Sequence, residues 1–191
     1  MRKLIFFYLA SCLILFVTFL KVEAQEKKEA EPTFKYGGVA TCKACHLTKK
    51  SGAQYKIWQK SAHAKAYETL KTPAAKEFAK KAGIEDPLKS EKCLKCHVTA
   101  FGVDEKLKGA KLTMEEGVSC ESCHGPGSGY KGKKVMTDIY EGKVEGAKYG
   151  LVQPTEEVCV TCHNEESPSY KKFKYAERVA KIAHPVPKKE E

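Results

Sequence analysis

The chain has 191 residues, of which 30% are charged, a formal net charge of +10 and nine cysteines. Its length suits about one domain. The basic balance alone would fit nucleic acid or an anionic lipid surface, but the first residues argue against nucleic acid.

Met1-Arg2-Lys3 is a short positive stretch, and residues 4–20 are apolar apart from Ser11 and Thr18. Val22-Glu23-Ala24 then places small residues at the spacing of a signal-peptidase site. This reads as a secretory signal over 1–24, cut after Ala24, and predicts an exported, periplasmic protein that rarely meets nucleic acid. The apolar run is longer than a usual signal core, so an uncleaved N-terminal membrane anchor is the alternative. Cys12 loosely suggests a lipoprotein site, but cleavage there would leave a hydrophobic stretch at the start of the mature chain. It reads as one more apolar residue of the leader. Losing Arg2, Lys3, Lys21 and Glu23 lowers the positive excess by two.

Residues 25–35 are charged, lack periodicity and contain Pro32, which predicts a flexible lead-in to a domain over 36–184. A helix is expected over 54–69, where Ile57, Trp58, Ala62 and Ala66 can share a face. Another is expected over 73–82, with Pro73 in its first turn and Gly83 as its stop. Residues 115–134 are rich in glycine and should be mainly turns. A last helix is expected over 170–182, then a frayed, disordered tail over 185–191. No alternation over five or more residues suggests a strand. Leu, Ile, Val and Phe are sparse after the leader, so another source of buried apolar surface is needed.

One pattern recurs at Cys42-Lys43-Ala44-Cys45-His46, Cys93-Leu94-Lys95-Cys96-His97, Cys120-Glu121-Ser122-Cys123-His124 and Cys159-Val160-Thr161-Cys162-His163. Each is C-x-x-C-H, the attachment sequence of a c-type haem. Two thiols three positions apart reach the two vinyl groups of one macrocycle, and the adjacent histidine ligates its iron. The bland alternatives are a disulfide framework, expected of eight cysteines in an exported protein, and zinc held by paired C-x-x-C motifs. A histidine after every pair favours haem. Four haem c groups would supply the missing apolar surface, and their propionates would nearly cancel the remaining positive charge. The expected architecture is mainly helical with long loops, wrapped around four packed c-type haems, with little or no sheet.

The chain has six histidines. His46, His97, His124 and His163 belong to the motifs, which leaves His63 and His184 for the far faces of four irons. At most two haems can therefore have two histidine ligands. Either spare histidine could instead be an ordinary surface residue.

The segments Trp58–Ala66, Cys96–Gly102 and Gly117–Gly127 closely resemble the tetrahaem cytochrome c-554 family, with Ser61-Ala62-His63-Ala64 and Cys120-Glu121-Ser122-Cys123-His124-Gly125-Pro126-Gly127 the specific stretches. The likeness runs from about Gly37 to Gly127, resumes over 159–170 and fades after it. It implies a mainly helical fold around closely paired haems. It also implies that His63 completes the haem on His124, that His184 completes the haem on His163, and that the haem on His97 has no sixth protein ligand. The family's first haem is completed by a histidine a few residues after Gly-Pro-Gly. This chain has none there, but offers Lys134 and Met136. A Met136 sulfur, a Lys134 amine or an open position are the readings for the haem on His46.

The resemblance implies an electron carrier that relays electrons between redox partner proteins, soluble or membrane-bound, with lysines steering acidic partners. A redox enzyme acting on nitric oxide, hydroxylamine or nitrite at the open haem on His97 is the alternative. A subunit of a larger multihaem complex is a third.

Overall fold

The computed structural model describes residues 33–167 and 169–187. The leader over 1–24, the lead-in as far as residue 32 and residues 188–191 of the expected tail lie outside them. Among the described residues, nine short α-helices and four 3-10 turns are strung on long loops. No sheet forms there, only an isolated parallel bridge between Tyr36 and Lys108. This is the mainly helical, loop-rich architecture expected.

Helices α1 (Val39–His46), α5 (Glu91–His97) and α6 (Cys120–His124) each end on a motif histidine. Helix α8 (Glu156–Val160) leads into the fourth motif. The cysteine pair needs one helical turn, and the chain supplies little more than that turn.

The single helix expected over 54–69 is broken into α2 (Gln54–Lys60), a 3-10 turn at His63–Lys65 and α3 (Ala66–Thr69). Ser61 turns extended, with ψ 163°. Tertiary bonds account for the break. Trp58 Nε1 donates to the Val118 carbonyl at 2.8 Å, and Val118 N–H donates to the His63 carbonyl at 3.1 Å. Gly117 permits this approach, since a Cβ there would lie 2.8 Å from the His63 oxygen, and its φ is +65°.

Helix α4 (Pro73–Lys81) matches its expectation. Pro73 opens it, Thr72 Oγ1 accepts from Ala75 N–H at 3.2 Å, and Gly83 follows it with φ +68°. Helix α7 (Lys133–Tyr140) begins inside the stretch expected to be turns. The final helix, α9, covers only Tyr175–Val179. The residues before it stay irregular, and Phe173 there lies flat on the His163 ring, centroids 4.9 Å apart and planes within 16°.

Residues at both ends of the described chain make long-range contacts. Phe34 packs close to Gly129 and Gly150, and Lys35 N–H donates to Ser128 Oγ at 2.7 Å. Beyond His184, the Pro185 carbonyl accepts from Gln54 Nε2 at 3.1 Å, and the Pro187 carbonyl from Tyr140 Oη at 2.8 Å.

The apolar core is thin. Leu70, Leu94 and Val98 form its buried centre, with Tyr67, Leu88 and Phe101 packed against it. Each such leucine contributes about 1.5–3 kcal/mol, too little to order a chain of this length against its conformational entropy.

Candidate haem-binding site

All eight cysteines of the four motifs are free thiols. Among the described residues no group of three or more His, Cys, Asp or Glu side chains converges as a metal site.

The motifs are neighbours in space although dozens of residues separate them in sequence. The Cys42 and Cys120 thiols are near enough to perturb each other's titration, which places the first motif beside the third. Cys96 and Cys162 are neighbours in the same way, placing the second motif beside the fourth, and there burial pushes the Cys96 thiol up to about 11. Lys95 and Glu166 add an ion pair of 2.6 Å between those two motifs. Burial raises the Cys123 thiol, and so do nearby Cys159 and Cys162, placing the third motif beside the fourth. The thiols thus run first, third, fourth, second.

Three of the four motif histidines are held by their Nδ1 atoms. His97 Nδ1 lies 2.7 Å from the Ala66 carbonyl, His46 Nδ1 3.2 Å from Gln54 Oε1, and His124 Nδ1 3.3 Å from the Val152 carbonyl. A carbonyl oxygen only accepts, so each Nδ1 carries the proton and each Nε2 keeps a lone pair for iron. Burial lowers the pKa of His124, and of His163, His63 and His184, which favours the neutral ring a metal requires.

Both spare histidines lie opposite a motif histidine. The rings of His63 and His163 are 6.0 Å apart between centroids, and those of His124 and His184 are 5.8 Å apart. Two imidazoles bonded to one metal at about 2 Å each have centres about 6 Å apart. This pairing corrects the one the family likeness implied: His63 faces His163 and His184 faces His124. The break after Lys60 and the bond from Val118 to the His63 carbonyl fix His63 there. His184 Nδ1 is buried without a hydrogen-bond partner among the described residues.

Of the two candidates for the haem on His46, the Lys134 side chain is 87% exposed and is held by Asp138 Oδ2. Met136 is half-buried on α7. Sequence reasoning missed the buried carboxylates of Glu116 and Glu121 beside the first and third motifs. Their only signal was a charged residue inside C-x-x-C-H and another just before it.

The donor set, the pair distances and the fixed tautomers fit c-type haem. The family profile described as "Cytochrome c554 and c-prime" matches residues 21–125. Cytochrome c-554 of Nitrosomonas europaea is 36% identical over 143 residues, which cover 67% of this chain and 57% of that protein. The solved reduced state of cytochrome c554 from the same organism superposes with a TM-score of 0.52 at 32% identity, over 80% of this chain and 79% of the other. Covalently bound haem c follows from the family. The chain belongs to the cytochrome c554 and c-prime family.

Proposed function

We propose that this protein carries electrons through four covalently bound haem c groups between redox partner proteins of the periplasm. The observation that supports this most is the order of the attachment thiols, first, third, fourth, second, which lays four motifs out as a continuous path. Cys42/Cys45, Cys93/Cys96, Cys120/Cys123 and Cys159/Cys162 would hold the groups, and His46, His97, His124 and His163 would ligate their irons. When bound, haem iron supplies a reversible one-electron couple.

The remaining side chains fix geometry around it. His63 and His184, facing His163 and His124, would supply the second histidine at those two sites. Met136 is the proposed sixth ligand on the His46 side, where a thioether raises the potential. Gln54, Ala66 and Val152 hold rings in place through Nδ1. No helix among the described residues is long and apolar enough to cross a membrane.

Spectroelectrochemical titration of the purified holoprotein tests the reading. Four one-electron steps, with rapid transfer to a second cytochrome, are expected. Slow exchange with every protein donor and acceptor, together with turnover of nitric oxide, hydroxylamine or nitrite, would favour the enzymatic alternative instead.

A further inference from the structure

Helix α1 carries the first motif, yet no side chain of its own caps its start, where Gly38 is the capping residue. Its leading N–H groups are satisfied from far along the chain. Glu121 Oε1 accepts from Gly37 N–H and Oε2 from Gly38 N–H, both at 2.8 Å, while Glu116 Oε2 accepts from Val39 N–H at 2.8 Å. Glu121 Oε1 also accepts from Gly127 N–H at 2.6 Å, which ties in the Gly-Pro-Gly turn.

Glu121 is only 2% exposed. Three backbone N–H donors onto two oxygens form the setting of a carboxylate acting as acceptor only. No ion pair reaches Glu121 or Glu116 among the described residues. A buried charge without a cation is costly. A glutamine would serve two of the three donors without that cost, so stability alone does not explain an acid here.

Its position supplies another reason. Glu121 lies between Cys120 and Cys123 of the third motif, and the helix it caps contains Cys42 of the first, whose thiol lies near Cys120. A negative charge held there, at the positive end of α1 and in a low-dielectric surrounding, favours the oxidised state of any iron bound at those two motifs.

We propose that Glu121 is a positioning residue for electron transfer, locking the first haem motif against the third and lowering the potential of both haems with its charge. This rests on the haem reading above. Gly37 and Gly38 are then held by charge-assisted bonds to Glu121, with Val39 held by Glu116, and Glu121 ties this segment to the third motif.

The test is a redox titration of holoprotein for wild type, E121Q and G127A, with each haem resolved by electron paramagnetic resonance. The glutamine keeps Oε1 for Gly37 and Gly127, but loses the charge and the Gly38 bond. Two haems should become easier to reduce, by about tenfold at a fixed potential, or about 59 mV for a one-electron couple. The haems on His97 and His163 should move much less. If E121Q does not fold, G127A replaces it, because its Cβ would lie 2.8 Å from Glu121 Oε1 and displace the carboxylate. Loss of thermal stability with all four potentials unmoved, or moved equally, would overturn the proposal and leave Glu121 a structural cap. Wild-type protein without haem bands would instead defeat the haem reading itself.

Discussion

The imidazoles of His63 and His163 face each other with ring centres 6.0 Å apart, although a hundred residues separate them in sequence. That spacing suits one iron between them. Replacing His63 with alanine should convert the haem on His163 alone from low spin to high spin and let it bind carbon monoxide. Difference spectra of the reduced variant, with and without carbon monoxide, check this. An unchanged His163 signal with a changed His124 signal would restore the pairing that the family likeness implied.

His184 gives the converse. Its ring lies 5.8 Å from His124, so H184A should open the haem on His124 and leave the haem on His163 six-coordinate. Resonance Raman coordination markers separate the two outcomes.

Lys134 and Met136 should behave differently. The lysine is exposed and paired with Asp138, so K134A should leave every haem signal in place. M136A should lower the potential of the haem on His46 or open its sixth position, read by redox titration and carbon monoxide binding. A shift in K134A with none in M136A would reverse the assignment.

Burial raises the pKa of Glu116 above its ordinary 4.5, opposed by bonds from Val39 N–H and Ser119 Oγ and reinforced by nearby Glu121. In the folded protein this group holds its proton at a pH where the unfolded chain has lost it. Its contribution to stability is full below 4.5 and is lost as pH rises through the raised value. The melting temperature of wild type should therefore fall relative to E116Q across that window. Parallel curves would show that Glu116 is not buried as described.

Gly117 has φ +65° and nowhere to place a Cβ, which would meet the His63 carbonyl at 2.8 Å. G117A should cost about 1–3 kcal/mol and disturb the spin state of the haem on His163, measured by thermal melting and electron paramagnetic resonance.

The covalent chemistry was legible in the sequence because C-x-x-C-H is a local pattern, satisfied within one turn of chain. So were helix α4, with its own Thr72, Pro73 and Gly83, and the lack of sheet among the described residues. What the sequence did not reveal depends on contacts across the fold. The 54–69 helix breaks because Val118, far along the chain, bonds to Trp58 and His63. The helix expected over 170–182 shrinks to Tyr175–Val179, and the irregular run before it places Phe173 on the His163 ring. The partners of His63 and His184 could not be read from spacing, since separation along the chain does not fix which rings face each other. Glu116 and Glu121 look like surface acids in sequence, and only the fold shows three N–H groups at the start of α1 directed at them.

Sulfur-bonded haem is proposed at all four motifs. Intact-mass analysis combined with a pyridine haemochrome assay, on protein made in a host with cytochrome maturation machinery, measures it directly. Four haems per chain are predicted, each attached through both of its cysteines. Colourless protein of the bare polypeptide mass, with its thiols in disulfides or on zinc, would contradict the account.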